Sequence, residues 1–219
     1  MGFLTKEKCD FLQCYINQPE DFYASQMITR GLRHLWFKKR QTTVGEFVEK
    51  YYEEGAVLDL GCGNCMWNDK FIPTVGVDIC ENMLRYNVKV NPNFFPLRAN
   101  FFNPLPFKSK SFSIVVVTEV LEHFQNYPFL LSEIKRVLKN NGIVIGSVPY
   151  SKFPGLWGVL FPIWCLYKGI RNRDKYYLNN CGHKVSFSVS KLKEALKDFY
   201  IEEIKIIGLL TIFFVARKI

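Results

Sequence analysis

Residues 57–63 read Val-Leu-Asp-Leu-Gly-Cys-Gly. Val57 to Leu60 is a short apolar run broken only by Asp59, and Gly61 and Gly63 follow at once. An apolar strand running into a glycine turn at the start of a helix is how α/β proteins cradle a nucleotide-like ligand. Glycine lets the backbone approach that ligand with no Cβ in the way. A second apolar strand, Val75-Gly76-Val77-Asp78-Ile79, places a carboxylate 19 residues after Asp59. An acid at the end of the second strand is positioned to accept hydrogen bonds from a ribose diol. A dinucleotide dehydrogenase is the competing reading, but it wants a third glycine where this chain has Asn64-Cys65-Met66.

The 219 residues suit one domain with a sizeable core, and 48% hydrophobic content argues against disorder. A formal charge of +9 permits binding to RNA or to an anionic membrane, and equally an ordinary solvated basic surface. Seven cysteines without a pairing framework fit free thiols in a reducing compartment, hence a cytoplasmic location. Cys62 and Cys65 form a CxxC, but no second pair exists to complete a zinc site and both sit inside the glycine loop. The N-terminus MGFLTKEKCD has no apolar core for a signal peptide, and Lys6 stands where a myristoylation signal has Ser or Thr. No apolar run reaches the ~20 residues of a membrane-spanning helix.

Strands are expected near 57–60, 75–78, 94–98, 113–118 and 142–148, and helices near 64–71, 81–87, 127–139 and 190–199, with Asn141-Gly142 as a helix stop. Such alternation implies a parallel sheet. Ile201 to Ile207 and Leu209 to Ala216 are adjacent apolar runs broken by Gly208, which predicts a C-terminal antiparallel hairpin at the sheet edge. Before the first strand, residues 1–55 form a helical extension. In it Leu32, Leu35 and Trp36, then Val44, Phe47, Val48 and Tyr51, fall at helical spacing around the basic cluster Lys38-Lys39-Arg40. The remainder, 56–219, is the ligand-binding domain, with an insertion at 149–182.

VLDLGCGN followed by VGVDI resembles the class I S-adenosylmethionine-dependent methyltransferases. The resemblance continues through ANFFNPLPFKSKSFSIVVVTEVLEH and EIKRVLKNNGIVIGSVP, covering residues 40–219. It implies an α/β, Rossmann-like, seven-stranded and mostly parallel sheet, with helices on both faces and the last strand inserted antiparallel. It implies S-adenosyl-L-methionine as cofactor. Asp59 with the Gly61-Cys62-Gly63 backbone would hold its amino-acid end. Asp78 would bind the ribose hydroxyls, and Ile79 would pack on the adenine. Asn100 and Phe101 stand where the family has an acid near the adenine amine. Thr118 and Glu119 end the fourth strand on the cofactor's open side.

Glu119-Val120-Leu121-Glu122-His123 and the later His183 carry the chemistry of the acceptor. Two carboxylates and two imidazoles are a ligand set for a divalent metal such as Mg or Zn, and His123 is equally placed to act as a base. The segment resembles small-RNA 2′-O-methyltransferases, where the four residues bind a metal, and ubiquinone-biosynthesis O-methyltransferases. Both act on a hydroxyl. From Phe153 to Tyr167 the insertion is almost wholly apolar, followed by Lys168, Arg171 and Arg173. It is expected either to cover the pocket or, across 153–173, to meet a membrane or admit a lipid-like substrate. The expected activity is methyl transfer to a hydroxyl on a small or lipid-like acceptor. An RNA 2′-O-methyltransferase and a non-catalytic partner subunit of the same fold are the alternatives. The sequence leaves the oligomeric state open.

Overall fold

The computed structural model describes residues 13–28, 31–101, 103–173, 175–178 and 180–219. The readings made on MGFLTKEKCD and on Phe102 lie outside the described residues. In chain order come α1 (Leu32–Tyr51), β1 (Val57–Leu60), β2 (Thr74–Asp78), α2 (Glu81–Val90), β3 (Phe94–Arg98), β4 (Phe112–Thr118), α3 (Tyr127–Val137) and β5 (Leu138–Pro149). The insertion supplies α4 (Trp157–Asn172) and the single turn α5 (Lys175–Leu178), and α6 (Val189–Ala195), β6 (Phe199–Ile207) and β7 (Thr211–Lys218) close the chain.

Among the described residues the sheet has seven strands in the order β3-β2-β1-β4-β5-β7-β6. The pairs from β3 through β5 are parallel, and β7 is antiparallel to both β5 and β6. Strand sequence explains this architecture. Leu58, Leu60, Val115, Val117, Phe214 and Ala216 bury on one face, with Leu130 and Ile134 of α3 and Leu192 of α6. The alternate residues Val57, Ile114, Val116, Phe213 and Val215 bury on the other, with Val44, Phe47 and Val48 of α1 and Leu84 of α2. Strands that are apolar at every position must be covered on both sides, as parallel sheets are. Each fully buried Val, Leu, Ile or Phe stabilises the fold by about 1.5–3 kcal/mol. The strand order reverses between β1 and β4, and that reversal opens a crevice at their C-terminal ends.

Beyond the helix expected near 190–199, which ends at Ala195 ahead of β6, two expectations fail. No helix forms at 64–71; the segment is a series of turns. The Asn68 side chain binds the Ile72 backbone at both its amide and its carbonyl, Cys65 and Phe71 take positive φ, and Pro73 follows. Asparagine side chains thus take backbone partners that a helix would need. The second failure concerns the end of α3, which stops at Val137 rather than 139. Leu138 already pairs with Phe112, and the register shifts before Ile114 meets Ile143. Asn141, at φ 59°, lies within β5 at this irregularity instead of ending a helix. The hairpin forms as expected, and Gly208 and Leu209 at positive φ make its turn.

Gly146 sits where β5 passes between β4 and β7. A Cβ there would stand 2.3 Å from the Phe214 ring and 2.7 Å from the Val117 carbonyl oxygen. Gly146→Ala is therefore expected to destabilise the protein by about 1–3 kcal/mol, read as a lower urea midpoint with unchanged slope. Phe214→Leu in the same chain should restore part of the loss. A wild-type midpoint in the single variant would show that the strands have room to separate.

Candidate active site

The glycine loop after β1 is held from below. The Gly61 and Cys62 amides donate to the Val77 carbonyl at 2.8 and 3.2 Å. Gly61 and Gly63 have φ of 70° and 49°, and a Cβ on Gly61 would lie 2.5 Å from Val120 Cγ2. The Gly63 amide donates to Asp78 Oδ2 at 2.8 Å, and the Cys80 amide donates to Asp78 Oδ1 at 2.8 Å. Burial raises the Asp78 pKa, and these hydrogen bonds oppose the rise. Asp78 lines a cavity with Gly61, Cys62, Gly63 and Ile79 on one side, and Asn100, Phe101, Thr118 and Glu119 on another.

Asp59 is placed differently. It is buried under the loop, where its Oδ2 accepts the Trp67 indole N–H at 2.8 Å, and it is not among the residues lining the cavity. Burial pushes its pKa up to about 7. Cys62 and Cys65 are buried thiols whose pKa burial raises well above the ordinary value, so neither is a ready thiolate for redox or zinc chemistry.

Several wall residues come from segments that sequence spacing could not connect to the loop. Asn64 Oδ1 accepts the Tyr23 and Ala24 amides at 2.8 and 3.1 Å, and its Nδ2 donates to the Glu20 carbonyl at 2.6 Å. This clamp draws residues 15–26 across the loop. The Tyr15 hydroxyl reaches Asp78 Oδ2 at 3.2 Å, and Tyr23 covers Gly63. From α1, Arg40 lies over the Trp36 and Phe37 rings, with Nη1 3.4 Å from Glu119 Oε2. Lys38 and Lys39 stay at the surface.

The far end of the cavity holds Glu122, His123 and His183, whose ligating atoms lie within 4.8 Å of one another. Glu122 Oε1 is 3.9 Å from Nε2 of each histidine. Among the described residues its two carboxylate oxygens accept no hydrogen bond, although the side chain is fully buried. Burial, and then the neighbouring Glu119 charge, raise the Glu122 pKa well above the ordinary value. Burial lowers His123 to about 4, and burial followed by His123 lowers His183 well below its usual value. Both imidazoles are therefore neutral near pH 7, and the 3.9 Å contacts are not ion pairs. Glu119 does not join them. Its positive φ of 54° turns it toward Arg40 and Ser147, whose hydroxyl donates to Oε1 at 2.8 Å.

Helix α4 roofs this end. Trp157, Phe161 and Trp164 line the cavity, and Phe161 stacks on His183 with ring centroids 4.8 Å apart and planes 18° apart. Trp157 stacks on Phe161 at 4.4 Å and 16°. Pro162 lies inside the helix and is exposed.

Residues 58–146 match the family described as "Methyltransferase domain". An uncharacterized protein of Methanocaldococcus jannaschii is 35% identical over 144 residues, which span 64% of this chain and only 60% of that protein. The demethylmenaquinone methyltransferase of Lactococcus lactis is 28% identical over 156 residues, 65% of this chain and 60% of the enzyme. A SAM-dependent methyltransferase structure from Methanosarcina mazei shares the fold at TM-score 0.56 and 18% identity, covering 79% of this chain and 97% of that one.

The buried Asp59 carboxyl yields a test of the loop's foundation. Its pKa rises from the usual 3.8 to about 7 on folding, so the stability that it contributes below 3.8 is lost as pH climbs through that window. Asp59→Asn keeps an acceptor for Trp67 but cannot ionise. Its thermal midpoint should gain on wild type as pH rises from 4 to 7 and then keep a constant lead. Parallel curves across that range would mean that Asp59 is already ionised in the fold.

Proposed function

We propose that this chain, which carries a methyltransferase domain of the class I S-adenosylmethionine-dependent kind, methylates a hydroxyl on a small or lipid-like, ring-bearing acceptor. The two-ended cavity carries the reading: a glycine cradle with Asp78 at one end, and neutral imidazoles under an aromatic roof at the other. The cradle fits the donor, since Gly61, Cys62 and Gly63 line the cavity together with the buried side chain of Asp78. Asp78 would take the ribose hydroxyls in place of the Tyr15 hydroxyl, Ile79 with Asn100 and Phe101 would border the adenine, and the loop amides would face the amino-acid end. Bound S-adenosylmethionine supplies a methyl on a sulfonium, whose carbon–sulfur bond breaks to a neutral thioether as the carbon–oxygen bond forms.

The chain's own work is orientation and proton transfer. A neutral His123 or His183 ring accepts the acceptor hydroxyl's proton. The stack of Trp157, Phe161 and His183 offers flat faces to a planar acceptor and keeps water from the reacting atoms. The Lactococcus relative, named for a quinone substrate, supports an acceptor of that shape.

Calorimetry with S-adenosylhomocysteine, followed by labelled methyl transfer to a prenylated hydroquinone and to an RNA oligonucleotide, tests the reading. Asp78→Ala should weaken S-adenosylhomocysteine at least about tenfold, or ~1.4 kcal/mol. His123→Ala or His183→Ala should cut kcat by roughly 10²–10⁴ with that affinity unchanged. No binding would remove methyl transfer altogether, and wild-type kcat in both histidine variants would remove proton transfer by either ring.

The Glu122 carboxyl, which accepts no hydrogen bond among the described residues, favours a second reading of the same end. Glu122, His123 and His183 form a three-donor N/O set of the kind that holds catalytic zinc with an open position. A bound ion would lower the pKa of the acceptor hydroxyl. Zinc or magnesium should then raise the thermal midpoint of wild type but not of Glu122→Gln. An unmoved midpoint together with full activity in excess chelator excludes the ion.

A further inference from the structure

Helix α4 has a second apolar face that the cavity does not use. Val159, Leu160, Ile163, Leu166, Tyr167 and Ile170 recur at steps of one, three and four residues, and each is 52–66% exposed. Phe153, just before the helix, is 95% exposed. The stripe runs from Val159 to Ile170 of the 16-residue helix, about 17 Å at 1.5 Å per residue. Among the described residues no helix is long and apolar enough to cross a membrane. A surface this apolar and this continuous marks an interaction site rather than ordinary solvent contact.

Its charge selects the partner. From Pro149 to Arg173 the sequence has four basic residues, Lys152, Lys168, Arg171 and Arg173, and no acid. Lys152, Arg171 and Arg173 are exposed, and Lys168 is partly so. An apolar stripe whose helix carries cations and no acid suits lipid: the stripe enters the acyl boundary while long basic side chains reach the headgroups. Anionic headgroups add an attraction for each basic residue held near the surface.

We infer that the outer face of α4 docks on an anionic lipid bilayer, with the helix lying in the plane of the interface and its inner aromatics still roofing the cavity. This inference goes beyond the proposed reaction and needs no bound donor. The same helix would separate the bilayer from Trp157 and Phe161.

Flotation of the full chain with phosphatidylcholine vesicles, with and without phosphatidylserine, at low and at high salt, tests it. The protein should float with the anionic vesicles at least roughly tenfold better than with the neutral ones, and part of that binding should survive high salt. The variant Ile163→Gln, Leu166→Gln, Ile170→Gln changes only the outer face and should lose about tenfold in partitioning, with its circular dichroism and thermal midpoint retained. If that variant does not fold, Arg171→Gln with Arg173→Gln carries the test, and a loss of the preference for anionic vesicles is expected. Four results overturn the inference: no flotation of the wild-type chain, flotation abolished entirely by high salt, a variant that floats as well as wild type, or a wild-type dimer that the triple variant converts to monomer without any vesicle binding. The last would assign the face to a second copy of the chain. Because folding is read separately from donor binding, failure here leaves the proposed methyl transfer untouched.

Discussion

One hydrogen bond, from the Gly63 amide to the Asp78 carboxylate, ties the loop after β1 to the end of β2. Both groups are buried, and a carboxylate in that position is costly unless donors meet it. Gly63, Cys80 and Tyr15 meet it here, each from a different segment. The loop needs such ties because no helix follows β1 to carry its amides. In the usual α/β arrangement a helix N-terminus presents amides and a partial positive charge to the ligand. Here individual bonds to Val77, Asp78 and the Asn64 clamp hold the loop instead, and the cradle relies on backbone shape rather than a helix dipole.

The strands were legible because their burial is two-sided. An unbroken apolar run such as Ile114 to Val117 satisfies either face of a covered sheet, so a strand can be placed without knowing its partners. The turn segment at 64–71 was misjudged because Asn64 and Asn68 look compatible with a helix until their side chains find backbone partners. The pattern of asparagines ahead of Pro73 was the available signal. In the ExxEH segment, Glu119 was grouped with Glu122 and His123 as part of one ligand set. The helical part is one short turn, Leu121–His123, and the left-handed backbone at Glu119 sends its carboxylate to Arg40. Tyr15, Tyr23 and Arg40 were out of reach, since each meets its site partner across 40 or more positions of sequence and only packing brings them there.

Helix α4 resolves a choice that composition alone presented as exclusive. An apolar insertion after β5 reads either as a cover over the cavity or as an exposed surface. A helix has more than one side, and this one is apolar on two: Trp157, Phe161 and Trp164 inward, and mainly aliphatic chains with Tyr167 outward. Trp157 and Phe161 are the ones that stack on His183, while the branched residues face away.

The order of the strands has a consequence for how the chain is assembled during synthesis. β6 is made before β7, yet β7 lies between β6 and the rest of the sheet. When β6 leaves the ribosome its place is not available, because β7, its neighbour in the sheet among the described residues, has not been made. The β5 edge, with Ile143 to Val148, stays open for the same interval. An open apolar edge is a template for pairing with the wrong chain. A nascent chain that stalls before Thr211 therefore loses two strands rather than one, and exposes the centre of its sheet instead of its margin.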